Sequence, residues 1–448
     1  MNVAEQIVAQ LVDAGVHRIY GIVGDSLNPI VDAVRKTGGS KKGGIDWIHV
    51  RHEEAAAFAA SAEAQLTGKL AVCAGSCGPG NLHLINGLYD ANRTGAPVLA
   101  IASHIPSVQI GSTYFQETHP DRIFEECSVY NELISSAAQS PRTVNSAIRH
   151  AVGLGGVSVI TLPGDVSDLK AVEHVPTYAP ARPATLAPNP ADIDEAAALL
   201  NKADKVAIFA GAGVEGAHDE VIALADALKA PIGHSLRGKH FIQYDNPFDV
   251  GMTGLLGYGA AAEGMNDADV LILLGTDFPY DQFLPDTPTI QVDTHAEKLG
   301  RRTDVGLAIH AQVKPFIEAL LPHLRTNRSD SFLKSKIKKH SEIMHAPVGA
   351  YTRNVEKMRP IHPEYAAHLL NETAAKDAIF TADTGMCNVW TARYIDPLGT
   401  RRLIGSLLHG SMANALPMAL GAQVAYPDRQ VVSVSGDGGL SMLLGELI

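Results

Sequence analysis

Hydrophobic and polar positions along this chain alternate between two kinds of segment. Short apolar runs typical of buried strands are followed by longer segments with apolar residues three or four positions apart, which are typical of helices. The apolar runs lie at 17–23, 47–50, 70–73, 97–101, 157–163, 205–210, 270–274, 289–292, 378–382 and 430–435. Strands that alternate with helices form doubly wound parallel sheets, so the pattern predicts an α/β fold.

Two changes in composition divide the pattern into three regions. Residues 176–190 are rich in Pro and Ala and predict a linker, and the charged residues 322–361 predict a second, irregular connection. We therefore expect three doubly wound parallel-sheet domains at 1–175, 190–325 and 360–448. The third has about half the strands of a closed α/β domain of about 150 residues. We expect this third domain to be truncated.

The composition fits a globular protein, and the sequence argues against a general nucleic-acid binder, a signal peptide and a transmembrane helix. Of the 448 residues, 46% are hydrophobic and 19% are charged, which is enough apolar material for several cores. The formal net charge of −12 implies no basic surface for general nucleic-acid binding. The N-terminal segment carries acids and helical periodicity rather than the features of a signal peptide. No apolar run reaches the length of a transmembrane helix.

The four cysteines are Cys73, Cys77, Cys127 and Cys387. None of them has the spacing of a zinc finger. The sequence therefore predicts buried, reduced thiols and a cytoplasmic protein.

The first candidate ligand site is Gly436-Asp437-Gly438-Gly439, between a strand pattern and a helical pattern. Glycines at a helix N-terminus let a diphosphate approach the backbone, and a carboxylate oxygen suits Mg²⁺. The same four residues could also form only a turn.

Further candidates lie at other predicted strand ends. Glu53 follows the second strand, where α/β sheets place their ligand crevice, and the Ala-rich residues 55–60 would desolvate its carboxylate. Alternatively, Glu53 only stabilises a helix N-terminus. The loop 75–80 could hold the edge of a cofactor or form a tight turn, but it lacks the Gly-Lys-Ser/Thr of a P-loop. Gly211-Ala212-Gly213 with Asp293 is weak evidence for a dinucleotide fold.

Together these motifs are more specific than any one of them. From residue 4 to residue 448 the chain resembles the thiamine-diphosphate enzymes of the pyruvate oxidase and acetohydroxyacid synthase group. Within that group it is most similar to the branch of bacterial pyruvate dehydrogenases (quinone), also called pyruvate oxidases. The segments that carry the resemblance are 51–60, 71–88, 114–120, 236–239, 244–247, 250–254 and 409–415.

The resemblance implies roles for individual residues. Glu53 would hydrogen-bond the aminopyrimidine of thiamine diphosphate and shuttle its proton, and Met412 would be the bulky residue beneath the cofactor. Asp437 would bind Mg²⁺ beside the diphosphate cradle of Gly438 and Gly439. The other positions for this cofactor would be Asp383, Thr384, Gly385, Gly410 and Ser411. The pyruvate side would be lined by His83, Phe115 and Gln116. The flavin-binding positions of the central domain would be Gly211, Gly213, Arg237, Thr253, Gly254, Leu255, Gly275, Thr276, Asp277, Phe278 and Asp293.

The resemblance also implies an activity and partners. Pyruvate would be oxidatively decarboxylated to acetate and CO₂ with thiamine diphosphate, Mg²⁺ and FAD as cofactors and a membrane quinone such as ubiquinone as electron acceptor. In this family Glu53 of one subunit would serve the cofactor of another, which implies a homodimer at minimum and a homotetramer as the expected assembly. The open alternatives are an acetohydroxyacid synthase-like carboligase, in which FAD does not cycle, and a truncated, non-catalytic flavin-binding remnant. Oxygen in place of quinone is also open.

The sequence departs from the family pattern in two places. Ala311-Gln312 stand where the family usually has Gly-Asp on the adenine side of the flavin. The family's second protein ligand to Mg²⁺, an Asn, and its membrane-binding segment both follow the position of Ile448. We therefore expect these 448 residues to bind magnesium thiamine diphosphate weakly or not at all. Peripheral contact with the inner face of the cell membrane is expected only if the family's membrane-binding segment is present.

Overall fold

A computed structural model describes residues 1–173, 178–179, 184–326 and 328–448. The chain forms two compact units. The first unit comprises Met1–Arg182, Ile379–Cys387 and Ile404–Ile448, and the second comprises Pro183–Ala378 and Asn388–Leu403. Strands and helices alternate throughout and build three sheets.

The first sheet has six strands, all paired in parallel, in the order β2-β1-β3-β4-β6-β5. Its strands are β1 (Arg18–Gly21), β2 (Asp46–His49), β3 (Ala71–Gly75), β4 (Val98–His104), β5 (Tyr130–Leu133) and β6 (Val157–Pro163). The helices of this region are α1 (Val3–Asp13), α2 (Asn28–Lys36), α3 (Glu53–Thr67), α4 (Pro79–Thr94), α5 (Pro120–Ile123), α6 (Ser140–Leu154) and α7 (Gly164–Asp168). The winding direction reverses between β1 and β3, so a crevice is expected at their carboxyl ends.

The second sheet has seven strands in the order β10-β9-β8-β7-β11-β12-β13. Its strands are β7 (Val206–Ala210), β8 (Ile232–His234), β9 (Asp249–Met252), β10 (Tyr258–Gly259), β11 (Val270–Leu274), β12 (Thr289–Asp293) and β13 (Leu307–His310). The helices are α8 (Pro190–Lys202), α9 (His218–Leu228), α10 (Lys239–Ile242), α11 (Ala261–Asn266), α12 (Val313–Leu320) and α13 (Ser331–Ile343). All pairs are parallel except the edge pair β9–β10, and the winding reverses between β7 and β11.

The third sheet has three strands in the order β15-β14-β16. Its strands are β14 (Ile379–Ala382), β15 (Arg402–Gly405) and β16 (Val431–Val434), and β14 and β16 are parallel. The accompanying helices are α14 (Pro363–Thr373), α15 (Met386–Tyr394), α16 (Ala415–Ala425) and α17 (Asp437–Met442). The predicted α/β fold with three parallel sheets is confirmed.

Small residues let three helices of the first unit pack closely. Helix α3 is rich in alanine, and its residues from Ala55 to Ala60 are all buried. A Cβ added to Gly87 of α4 would lie 2.5 Å from the Cβ of Ala57. A Cβ added to Gly421 of α16 would overlap the carbonyl oxygen of Ala59. This close packing on both sides of α3 fixes the position of its N-terminal residue, Glu53.

The structure corrects one prediction and, in the described part of the chain, contains six strands that the sequence did not predict. The connection predicted as irregular at 322–361 contains helix α13, because Leu333 is buried in the core of the second unit while Lys336 pairs with Glu263 and Asp267. The strands β5, β8, β9, β10, β13 and β15 were not predicted, because their apolar runs are short or alternate with polar residues.

Other predictions concern boundaries, cysteines and membranes. The boundaries 1–175, 190–325 and 360–448 stay predictions. Residues 174–177, at the end of the predicted first domain and the start of the linker, and residues 180–183 of the linker lie outside the described residues. All four cysteines are buried and none of them forms a disulfide, as predicted, and burial raises the pKa of Cys73 and of Cys127 to about 12. Among the described helices, none combines the length and apolar character that crossing a bilayer requires.

Candidate functional site

The first candidate group, Glu53, is the first residue of helix α3, immediately after the turn that follows β2. His52 has extended backbone angles and its Nδ1 accepts a hydrogen bond from the amide of Glu54, which caps the helix. The Glu53 residue is 7% exposed. Its Oε2 lies 2.9 Å from Nδ1 of His83 on α4. The structure therefore places two of the predicted catalytic side chains in direct contact.

His52 adds an imidazole to this pair. Its ring stacks on that of His83 with centroids 4.4 Å apart and planes inclined by 25°. One ligand atom from each of His52, Glu53 and His83 lies within 4.8 Å of the others. Stacked rings point their in-plane lone pairs side by side, whereas a metal ion needs lone pairs that converge on one point. The cluster therefore fits proton transfer better than metal binding.

Glu446 fixes the turn that precedes Glu53, and the sequence analysis missed it. Its Oε1 accepts hydrogen bonds from the amides of Arg51 at 2.9 Å and His52 at 3.0 Å. Burial raises the pKa of Glu446, although these two amide bonds act in the opposite direction. The partners lie almost 400 positions apart in sequence, so no local pattern could have indicated the contact.

The loop 75–80 lies at the switch point of the first sheet. The Ser26 hydroxyl accepts a hydrogen bond from the amide of Cys77 and lies 3.0 Å from Oγ of Ser76 and 2.7 Å from Oγ of Ser103. A Cβ added to Gly80 would lie 2.9 Å from Oε1 of Glu53. Glycine at this position lets the start of α4 pass close to the Glu53 carboxylate.

The other two predicted residues of the pyruvate side differ in their surroundings. Gln116 has a φ of 63°, its Oε1 accepts from Sγ of Cys77 at 3.3 Å, and its backbone oxygen would lie 2.8 Å from a Cβ on Gly78. Phe115 is 78% exposed. Gln116 is thus held against the loop 75–80, whereas the side chain of Phe115 projects into solvent.

In the third sheet, Asp383 follows β14 and is 1% exposed. Its Oδ1 accepts hydrogen bonds from the amide of Thr384 at 3.1 Å, the amide of Asn414 at 3.2 Å and Nδ2 of Asn414 at 2.9 Å. Burial raises the pKa of this carboxyl. A Cβ on Gly439 would overlap Oδ2 of Asp383, so the start of α17 rests directly on the carboxylate.

Met412 lies on a loop with unusual backbone angles. Gly410 has a φ of 78°, and Ala413, although it carries a Cβ, has a φ of 64°. The Met412 residue is 43% exposed, and its Cε would lie 3.2 Å from a Cβ added to Gly438. The neighbouring Ser411 accepts a hydrogen bond from Nδ2 of Asn86 at 2.7 Å. The loop therefore brings Met412 to the glycines that begin α17.

Asp437 begins α17 directly after Gly436 and is exposed. Within the described parts of the chain, no side chain or amide is bonded to its carboxylate. Thr384 is half-buried and Gly385 is exposed at the end of the neighbouring strand. An open carboxylate beside exposed glycine backbone matches the oxygen donors of a Mg²⁺ and diphosphate site, so these residues fit magnesium thiamine diphosphate.

The carboxyl edge of the second sheet is closed by its own backbone. The amide of Gly211 donates to the carbonyl oxygen of Leu274, and the amide of Gly213 donates to that of Gly275, both at 2.9 Å. A Cβ on Gly211 would overlap the Gly275 oxygen, and one on Gly213 would lie 2.6 Å from Gly275 Cα. These glycines allow two strand ends to approach each other, and their amides are already hydrogen-bonded.

The acidic groups at this edge also form ion pairs or hydrogen bonds within the protein. Asp277 pairs with both Arg301 and Arg302, and Asp293 accepts a hydrogen bond from the amide of His295 at 2.9 Å.

The remaining flavin-binding candidates differ in exposure. Thr253, Thr276 and Phe278 are buried, whereas Leu255 is 63% exposed. Gly254 has a φ of 102°, and a Cβ there would lie 2.9 Å from the Phe278 ring. Arg237 is half-buried and follows β8. These positions gather at one edge of the sheet, but their side chains do not form a common charged cluster.

Three family models match the chain. They are the N-terminal TPP binding domain of thiamine pyrophosphate enzymes over residues 1–123, the central domain over 193–320 and the C-terminal TPP binding domain over 383–448. Thiamine pyrophosphate is another name for thiamine diphosphate. The matches cover the strand ends that carry Glu53, the Gly211 loop and Asp437.

Curated relatives agree with the family models. An uncharacterized 42.6 kDa protein of the isoamylase 3′ region of Pseudomonas amyloderamosa is 54% identical over 335 residues, covering 74% of this chain and 83% of the relative. The putative thiamine pyrophosphate-containing protein YdaP of Bacillus subtilis is 36% identical over 448 residues, covering 99% and 77%. The pyruvate oxidase of Lactiplantibacillus plantarum is 31% identical over 447 residues, covering 97% and 72%. Acetolactate synthase large subunits match at similar identity, for example 30% in Escherichia coli. From these matches and the geometry of the strand ends, the chain belongs to the thiamine pyrophosphate enzyme family.

Proposed function

We propose that this protein oxidatively decarboxylates pyruvate to acetate and CO₂ with thiamine diphosphate, Mg²⁺ and FAD, and passes the two electrons to a membrane quinone. In the balanced reaction, pyruvate, water and quinone give acetate, CO₂ and quinol. The observation that carries the proposal is the buried Glu53 carboxylate, hydrogen-bonded to His83 at a helix N-terminus. A desolvated carboxylate with one imidazole partner can take up and return a proton.

In the proposed dimer, thiamine diphosphate would lie between two subunits. Glu53 of one subunit would hydrogen-bond its aminopyrimidine, and Asp437 of the other would bind Mg²⁺ with the diphosphate against the backbone of Gly438 and Gly439. Met412 would support the rings from below. When bound, this cofactor supplies a cation that stabilises the electron pair left by CO₂.

The pyruvate side is assigned to His83, Gln116 and Phe115. His83 is 45% exposed while its Nδ1 contacts Glu53, so the part of its ring that does not stack on His52 is open to a ligand. The Gln116 side chain is close to the loop 75–80 through Cys77. A neutral amide and an imidazole suit the carboxylate and keto oxygen of pyruvate.

FAD is assigned to the second sheet because of its topology. The winding reverses between β7 and β11, which is where open α/β sheets bind dinucleotides. The amides of Gly211 and Gly213 are hydrogen-bonded within the chain, so the flavin would contact the edge formed by Arg237, Gly254 and Leu255 instead. FAD would accept two electrons there.

The assembly and location are part of the proposal. A homodimer is the minimum and a homotetramer the expected assembly, with the electron acceptor reached at the inner face of the cell membrane. Sedimentation equilibrium of the purified protein measures the number of subunits. Quinone reduction in the presence of phospholipid vesicles measures electron transfer at the membrane. A monomer that is fully active would contradict the proposed assembly.

The decisive test of the reaction is anaerobic mixing of the cofactor-loaded protein with pyruvate. We expect the absorbance of oxidised flavin to disappear, with one CO₂ and one acetate formed for each flavin reduced. If the flavin stays oxidised while acetolactate accumulates, the proposed oxidase activity is wrong and a carboligase activity is supported. If the flavin stays oxidised and no product forms, both activities are wrong and the protein only binds flavin.

A further inference from the structure

The loop that carries Met412 is held from below by two buried polar residues. Asp383 is 1% exposed and Asn414 is fully buried. Neither side chain has a surface from which it could contact a ligand directly. Their hydrogen bonds therefore act on the protein itself.

Asn414 ties together the two ends of the loop 406–414. Its Oδ1 accepts from the amide of Ser406 at 3.0 Å, and its Nδ2 donates to the carbonyl oxygen of Ser411 at 2.7 Å. Oγ of Ser406 in turn accepts from the amide of Ser411 at 3.0 Å. A loop closed at both ends by buried hydrogen bonds has few alternative conformations.

Asp383 connects this loop to the start of α17. Its Oδ1 accepts from both the amide and the side chain of Asn414, and its Oδ2 has no hydrogen-bond partner among the described residues. Gly439 packs on the Oδ2 side so closely that no Cβ would fit. The carboxylate thus sits between the loop and the helix that begins with Asp437.

The backbone next to Met412 needs this support. Ala413 has a φ of 64°, a conformation that residues with a Cβ rarely adopt and that persists only where the surroundings impose it. Ala413 lies between Met412 and Asn414, so release of the Asn414 hydrogen bonds would let it relax. That relaxation would turn Met412 away from Gly438.

We propose that Asp383 and Asn414 act as one pair of positioning residues, which hold Met412 against the start of α17 and so shape the floor of the thiamine diphosphate site without touching the cofactor. This assignment differs from the role of direct cofactor contact that the resemblance implies for Asp383. It rests on the proposed function only in that Met412 borders the cofactor.

The test is a double-mutant cycle of cofactor affinity, measured by calorimetric titration of the apoprotein with thiamine diphosphate at saturating Mg²⁺. Because weak binding is expected of these 448 residues, the titration extends to cofactor concentrations that saturate a weak site. Asn414→Ser and Met412→Ala are each expected to weaken binding about tenfold. Because the pair acts through Met412, adding Asn414→Ser to Met412→Ala should change the affinity less than twofold. Losses that multiply in the double variant would overturn the proposal, and so would wild-type affinity in either single variant.

Two further variants separate positioning from general damage to the fold. Asn201→Ser is the same substitution at a partly exposed position of the second unit, where the side chain also accepts from one amide, that of Arg325, and donates to one carbonyl oxygen, that of His323. It should leave affinity unchanged within twofold. Asp383→Asn preserves shape and is used if Asn414→Ser does not fold, with the same expected non-additivity towards Met412→Ala. An equal loss of affinity in Asn201→Ser would overturn the specific role.

These binding measurements need no turnover. If pyruvate fails to reduce the flavin but the cycle is non-additive, the proposed reaction is wrong and the positioning role stands. If the flavin is reduced but the cycle is additive, the proposed reaction stands and the positioning role is wrong.

Discussion

The carboxyl edges of the first and second sheets look alike in sequence and differ in structure. Both have glycines and a carboxylate where strands end, and both lie at a point where the winding direction reverses. In the first unit, the Glu53 carboxylate has His83 as its one hydrogen-bond partner among the described residues, and Asp437, which follows the third sheet in the same unit, is open to solvent. In the second unit, Asp277 is paired with two arginines and the amides of Gly211 and Gly213 are hydrogen-bonded to neighbouring carbonyl oxygens.

Three further ionisable groups of the second unit extend this contrast. His234, Lys239 and His240 follow one another along β8 and α10 and are all buried. Burial lowers their pKa values to about 4, about 8 and about 3, respectively. A ligand at this edge would be recognised mainly by shape, whereas the first unit offers accessible polar groups for chemistry. A strand–glycine–carboxylate motif therefore indicates where a strand ends, but not whether the carboxylate serves a ligand or the protein.

The largest expected effect is on the proton-transfer group of the first unit. Glu53→Gln keeps the shape of the side chain but removes its ability to exchange a proton, so we expect pyruvate-dependent flavin reduction to fall about 10²- to 10⁴-fold. The matched control is Glu54→Gln, since Glu54 accepts a hydrogen bond from Asn86 that a glutamine oxygen can still accept. Stopped-flow absorbance measures both. A similar loss in the two variants would remove the contrast between the units.

The next effect is a pH dependence that belongs to the second unit. Burial, with Arg402, Arg237 and Lys239 nearby, lowers the pKa of His240 to about 3. Between this value and the ordinary pKa of histidine the unfolded chain binds more protons than the folded one, so stability rises with pH. The contribution of neutral His240 to the free energy of unfolding is complete above about pH 6.5. It is lost as the pH falls, at about 1.4 kcal/mol per pH unit.

Denaturant unfolding between pH 4 and pH 7 measures this slope. His240→Phe should flatten it by about 1.4 kcal/mol per pH unit, since phenylalanine has no proton to gain. His295→Phe is the control, because His295 is about half exposed in the same unit. An unchanged slope in His240→Phe would mean that the buried imidazole is protonated in the folded protein.

The smallest effect concerns the contact between Asp383 and α17. Gly439→Ala would place a Cβ into Asp383 Oδ2, and we expect a loss of stability of about 1–3 kcal/mol from overpacking. Gly436→Ala is the matched control three residues earlier, where nothing lies within 4 Å and φ is −74°. Thermal unfolding measures both. Equal stability in the two variants would show that the Asp383 carboxylate moves aside.

Much of the fold could be predicted because long apolar runs leave few choices. Strands β4 and β6 are buried at every position and appear in the sequence as mainly apolar segments. The strand β13 alternates buried and exposed residues over four positions, and the three-residue β8 is too short to show a period, so both were missed. Helix α13 was missed because its buried face includes the lysine Lys336.

The sequence by itself determined the α/β fold, the strand ends that carry the candidate carboxylates, and the family, because hydrophobic period and glycine-flanked carboxylates are local properties of a chain. Only the tertiary structure decided which strand-end groups are open to chemistry. Glu53 and Asp437 remain available, while Asp383 is enclosed by Asn414 and Gly439. The partner of a carboxylate lies on another element, tens to hundreds of residues away, and that packing alone determines whether its charge is used by a ligand or by the protein.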